Sequence, residues 1–325
     1  KGVTGASLEL LLSLLTKPSA DENGFSPEQL STEIRLTAED IESEINDKRS
    51  YAMTRMLETM CADEIYGLTK NEILENVKKV TPQSLLAAWK FMLKNGIIQL
   101  NAIGNISEDD CKKKLREAFS DVGERTPYEP ETVFVEEAED LTELTEELTM
   151  NQSKLVLGFR GGMTDENDDF YSRRIMTDVF GGGPYSRLFM NVREKLSLCY
   201  YCSARLIRGK GIIVIQSGIE KENRQKVLDE INRQLDIMKN GEFSDEDFEA
   251  SKKAICDAYR SFNDTPDALD IYYGTQLTGD IVTPDEAIEN FLAVTRDDVK
   301  KTACALSLDT VYMLAGTDKE DGADE

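Results

Sequence analysis

The sequence predicts an α+β protein of two homologous domains, each an antiparallel β-sheet with helices packed on one face and the first domain truncated. Three observations carry that prediction. Strand-like segments are few, short and clustered, chiefly between residues 132 and 217. Helix-period segments come in long consecutive runs instead of alternating singly with strands, which excludes a regular βαβ pattern. The chain also repeats itself. Glu72-Ile73-Leu74-Glu75-Asn76 followed by Val80-Thr81 matches Glu286-Ala287-Ile288-Glu289-Asn290 followed by Val294-Thr295. Phe25-Ser26-Pro27-Glu28 likewise matches Phe243-Ser244-Asp245-Glu246, in the same order and at nearly the same offset.

Taken in order, Lys1–Lys17 carries an apolar helix pattern at Leu8, Leu10, Leu11, Leu14 and Leu15 without a start signal. Ser26-Pro27 opens the next helix, with serine as N-cap and proline at the first helical position. Helices follow over Tyr51–Met60, Lys70–Val77 and, after Thr81-Pro82, Gln83–Lys94. Ile97–Ile103 reads as a strand and Ser107 as a helix start. Two prolines in Thr126–Glu131 mark a linker. Strands are then expected at Thr132–Val135, Thr145–Met150 and Lys154–Phe159, and a helix at Asp168–Phe180. After Gly181-Gly182-Gly183 a helix over Pro184–Leu196 buries Leu188, Phe189, Val192 and Leu196 on one stripe. It leads into strands Cys199–Ile207 and Gly211–Ser217. Helices occupy Lys221–Asn240, Asp245–Phe262, Ala268–Leu277, Asp285–Leu292 and Asp297–Ala305. Thr310–Ala315 is the last strand, before a solvated acidic tail.

Composition narrows the function. Among 325 residues, 62 acidic side chains face 38 basic ones, for a net charge of −24. Such a surface repels phosphates, so neither nucleic acid nor an anionic membrane is an expected partner. No apolar run approaches the roughly 20 residues of a membrane span. Six scattered cysteines read as reduced thiols of a cytoplasmic protein. There is no histidine. That removes His-based triads, His general bases and imidazole zinc ligands together. Cys199 and Cys202 are the one close cysteine pair, and on a regular strand positions i and i+3 face opposite ways.

The repeat assigns 1–125 to the second half of a first domain, 126–131 to a linker and 132–325 to a complete second domain with its tail. On that logic the first domain would begin roughly 85 residues before Lys1.

The motifs FGGGPYSRLFMNVREKLSLCYY (180–201), LTAEDIESEINDKRSYA (36–52) and the paired EILEN and EAIEN segments carry a resemblance that covers essentially the whole chain. It is to the insulinase/pitrilysin family of inverzincin metallopeptidases, and within it to the bacterial zinc-free partner subgroup. The resemblance implies two sheet-and-helix domains closing around a peptide, and a zinc motif H-x-x-E-H in the portion with no counterpart here. It aligns the third zinc ligand with Glu44 (Glu42 is a weaker match), although the histidine ligands are absent. It aligns the family's second-domain arginine and tyrosine with Arg193 and Tyr200, as substrate-binding residues. No catalytic residue is expected in this chain alone. Zinc is expected only in a partner or in preceding residues. The implied partners are a peptide or unfolded polypeptide and a homologous zinc-bearing subunit, with a homodimer as the alternative.

The residues themselves allow a plainer account of each site. Arg193 on the flank of its helix, and Tyr200 sharing a strand face with Cys202 and Ala204, can converge as donors on a peptide carbonyl that becomes an oxyanion. Equally, Arg193 can pair with Glu194 or Asp178 while Tyr200 is half core. Tyr201 is expected on the opposite face. Gly181, Gly182 and Gly183 lack the lysine and spacing of a phosphate loop; they read as a helix end and tight turn, or as a loop bordering the peptide cleft. Arg187 reads as structural. Three functions stay open: a zinc-free subunit lending Arg193 and Tyr200 to a zinc-bearing chain, a non-catalytic structural or peptide-binding subunit, or a fragment of an active zinc peptidase.

Overall fold

A computed structural model describes residues 2–129, 131–165, 169–277 and 281–317, with side chains from residue 5 onward. The acidic tail and Asp168 lie outside the described residues. The chain forms two compact units: Lys1–Glu42 with Lys70–Glu131 and Arg260–Pro284, and Ser43–Thr69 with Thr132–Tyr259 and Asp285–Glu325. Two segments thus cross the boundary that the 126–131 linker would set.

The first unit is helical. It holds α1 (Gly2–Thr16), the two-residue strands β1 (Ala20–Asp21) and β2 (Gly24–Phe25), and α2 (Pro27–Ser43). Past the segment that contains α3 (Lys48–Met60), it continues with α4 (Lys70–Val77), α5 (Pro82–Asn95) and α6 (Glu108–Ala118). Leu8 and Leu12 of α1 pack with Cys111 of α6. Ile97–Ile103 is not a strand, contrary to its composition. A strand needs a neighbour to take its backbone hydrogen bonds, and none lies beside this segment among the described residues.

The second unit is built on one five-stranded sheet of order β3-β7-β4-β6-β5. Its elements are β3 (Thr142–Thr149), β4 (Ser153–Arg160), α7 (Phe170–Gly181), β5 (Cys199–Ile207), β6 (Ile212–Ile219), α8 (Arg224–Asn240) and α9 (Asp245–Ser261). After α10 (Pro266–Gly274), which belongs to the first unit, come α11 (Pro284–Ala293), α12 (Arg296–Cys304) and β7 (Ser307–Thr317). The α+β class holds. Thr132–Val135 is not a strand, and the first strand starts instead at Thr142. The pair β3·β7 is parallel, where an antiparallel sheet was expected throughout. The chain between these two strands is long enough for the crossover that parallel pairing needs.

The strands alternate their side chains between two layers. Val156, Val214, Tyr312 and Leu314 meet Ala52, Met56 and Met60 of α3 on one face. On the other face the C-terminal end of α7 comes against β5, where a Cβ on Gly181 would lie 2.6 Å from the backbone nitrogen of Ala204. The sequence repeat has a structural counterpart. Thr81 and Thr295 each open a helix with a capping box, through Ser84 and Asp298 respectively. Ser26 and Ser244 each accept the third amide of the helix that follows.

Candidate functional site

Residues 181–202 form the segment that the sequence singled out. α7 ends at Gly181, and Gly182 closes it in the right-handed region. Gly181 and Gly182 are required by the backbone that they touch, while Gly183 faces the end of one side chain. A side chain at 181 would strike Ala204, one at 182 would overlap Asp178, and one at 183 would stand 2.9 Å from the Tyr185 ring. Tyr185 donates to Asp178 at 2.7 Å. Burial, then that carboxylate, raises the Tyr185 phenol above its usual range. These contacts make the loop a tight packed turn.

The helix expected over Pro184–Leu196 takes a different form. Pro184 and Tyr185 are in the turn, and Phe189–Lys195 is a π-helix. The amide of Leu196 reaches back to Asn191 at 3.2 Å, a five-residue bond. The wider turn advances each residue through a smaller angle. Leu188 and Val192 are fully buried as expected, while Leu196 falls off the stripe and is 44% exposed. Arg193 sits in the last turn. Its guanidinium lies 4.6 Å from the centre of the Phe189 ring and 3.6 Å from the Glu194 carboxylate. Arg187 is held at 2.9 Å by Gln234 and near Asp247, inside the helical layer.

Tyr200 lies at a β-bulge. Cys199 pairs with Ile219 and Tyr201 with Gly218, so Tyr200 is the extra residue on edge strand β5. It is 56% exposed and donates to the carboxylate of Glu220. That bond raises its phenol above the ordinary value. The bulge breaks the alternation on which the shared face of Tyr200 and Cys202 was argued. It also places Cys199 and Cys202 on one side, since their partners Ile219 and Ser217 are two residues apart. The expectation that these thiols face opposite ways assumed an unbroken strand. The Cys202 thiol, hydrogen-bonded to the free Cys199 thiol and buried, is held well above its usual range.

Tyr201 points the other way, toward α3, where the Arg49 guanidinium stands 4.4 Å from its ring centre. The sequence reading passed over this Arg49–Tyr201 contact and the Glu220 acceptor. Neither carries a local signal: Arg49 comes from a distant helix, and Glu220 meets Tyr200 only once β5 and β6 pair.

Residues 79–255 match the family model described as the peptidase M16 inactive domain. A probable inactive metalloprotease of Bacillus subtilis is 30% identical over 96% of this chain and 73% of its own length. The chain belongs to the M16 peptidase family. This is the insulinase-type family that the motifs resemble, in its zinc-free branch. The fold agrees with solved structures. A conserved protein from Enterococcus faecalis superposes with a TM-score of 0.84 at 24% identity, over 99% of this chain and 76% of that one. An M16 inactive domain from Pseudomonas fluorescens gives 0.73 at 16%, over 97% and 76%.

Zinc does not fit the residues present. Glu44, which the sequence resemblance aligns with the third zinc ligand, lies in a short 3₁₀ turn and accepts from the Thr54 hydroxyl at 2.7 Å. No histidine exists to join it. Among the described residues no group of three or more histidine, cysteine, aspartate or glutamate side chains could hold a metal. No described helix is long and apolar enough to cross a membrane.

Proposed function

We propose that this chain is the zinc-free subunit of a two-chain M16 peptidase, lending Arg193 and Tyr200 to peptide hydrolysis at the zinc of a homologous partner. The observation that carries the reading is the exposure of both donors on a rigid base. Arg193 leaves the last turn of a π-helix anchored by the fully buried Val192, and Tyr200 stands out on an edge-strand bulge. Such a guanidinium and phenol can bind a peptide carbonyl and stabilise the charge that develops on it. Neither can supply or activate the attacking water, so the chain by itself is inert. The Gly181–Gly183 turn borders the cleft on this reading, and the complex works in the cytoplasm.

The second reading is a structural or peptide-binding subunit without a catalytic share. It draws support from the carboxylates that both side chains already hold, Glu194 and Glu220.

Peptide cleavage by the reconstituted pair separates the two. With zinc and the partner present, Arg193→Ala and Tyr200→Phe should each lower turnover by about 10²–10³-fold, the usual loss for one oxyanion donor. Unchanged turnover in both variants leaves only the second reading.

A further inference from the structure

A cavity of about 630 Å³ opens in the second unit between the start of α3 and the loop joining β3 to β4, lined by Asn46–Arg49, Met150–Gln152 and Lys154. Its charge runs against the rest of the molecule. Three cations line it (Lys48, Arg49 and Lys154), in a chain with a net charge of −24. Among the described residues none of the three is within ion-pair distance of a carboxylate, although the Asp47 charge acts on Arg49 and Lys154 through space. The Arg49 guanidinium contacts neutral groups among the described residues: Gln216 at 3.3 Å, Ser203 at 3.5 Å and the Tyr201 ring. Lys154 bonds Gln152, and its ammonium lies 5.8 Å from the centre of the same Tyr201 ring. Lys48 takes the Ile45 carbonyl at 2.6 Å.

One carboxylate, Asp47, lines the cavity, and it is already engaged. It accepts the amides of Arg49 and Ser50 and the Ser50 hydroxyl as the cap of α3. The backbone donors of that helix end are therefore spent, and the positive character comes from side chains. Arg49 is exposed, so the absence of an acidic partner costs it little and leaves it open to a ligand, unlike the more buried Arg55 and Arg187, which hold Glu146 and Asp247. Two cations brought beside one aromatic ring repel each other. Burial, then the charge of Arg49, depresses the Lys154 ammonium. An arrangement of this kind is relieved by an anion between the two.

We propose that Arg49 and Lys154 bind the carboxylate of a peptide in this cavity. The assignment to a peptide rests on the function proposed above, which sets a peptide along edge strand β5, the strand that carries both Tyr200 and Tyr201 of the cluster. The charge argument does not depend on that function.

The test is binding to the unmodified chain alone, by calorimetry, so that loss of turnover with a partner has no bearing on it. The probes are a short neutral peptide with a free C-terminus, its C-terminal amide, the amide carrying one internal glutamate, and inorganic phosphate. The proposal expects either carboxylate-bearing peptide to bind at least ~10-fold more tightly than the plain amide, and binding to weaken between 50 and 200 mM salt. Arg49→Gln with Lys154→Gln should abolish the preference, while Arg49→Lys keeps most of it. Equal binding of all three peptides overturns the proposal. So does phosphate binding without discrimination among the peptides, or no binding at millimolar concentration.

Discussion

Glu64 shows at the scale of one residue how this protein places charge. Its carboxylate is 8% exposed and holds Lys210 and, at 3.3 Å, Arg160, whose other nitrogens reach Asp309 and the Met60 carbonyl. Buried ions are tolerated only while each keeps its partners. Burial, then Glu64, pushes the neighbouring Cys61 thiol up to about 11, the same desolvated surroundings seen from another group. Glu64→Gln leaves Lys210 buried with the Val133 carbonyl as its remaining named acceptor. The expected cost is about 3–5 kcal/mol of unfolding free energy, read as a lower denaturant midpoint at unchanged slope. A loss under 1 kcal/mol would mean that water already reaches this cluster. Arg193 and Tyr200 are the opposite case. Their partners are exposed carboxylates in high dielectric, which a substrate can displace at little cost.

At the scale of elements, the glycines of the α7 turn should be unequal to others in the sheet. A methyl at 181 meets the backbone of Ala204, which cannot step aside. A methyl at 158 meets the sulfurs of Met56 and Met60, the movable ends of long side chains. Gly181→Ala should therefore cost about 1–3 kcal/mol and Gly158→Ala clearly less, a ranking that thermal unfolding of the two variants will check. The same elements show what could be read in advance. Capped helices were legible because Thr81, Ser244 and Thr295 announce themselves within four residues. The motif holding Arg193 and Tyr200 was legible as a pattern, with the burial of Leu188 and Val192. Three features were not. The π-helix depends on a five-residue bond that no composition rule marks. The bulge at Tyr200 depends on how β5 registers against β6. The non-strand at Ile97–Ile103 depends on the absence of a neighbour, whereas the matching segment near Thr310 became β7 because β3 and β4 flank it.

At the scale of the whole chain, the two units differ in how much each has to hold it together. Among the described residues, the buried apolar side chains of the first unit are Leu8, Leu12, Leu30, Leu93, Cys111 and Tyr272, and each keeps 2–8% of its surface exposed. The second unit buries Leu155, Leu157, Ile213, Ile215, Ile231 and Phe291 completely, along with much else around its sheet. Large exposed apolar residues such as Leu10, Leu14 and Phe91 show the first unit's helices covering little of their own hydrophobic surface. Local stability follows buried apolar contact, and opening free energies span from near zero to the global value. Hydrogen exchange on the isolated chain should therefore divide along the two units and not along the sequence. Amides of β4, β6 and β7 should exchange last. Those of α1 and α5 should exchange at least ~100-fold sooner. Because α3 packs on the sheet with Met56 fully buried, it should follow the sheet and not the helices beside it in sequence. If α3 instead exchanged with α2 and α4, the division of the chain into these two units would fail as a description of its energetics.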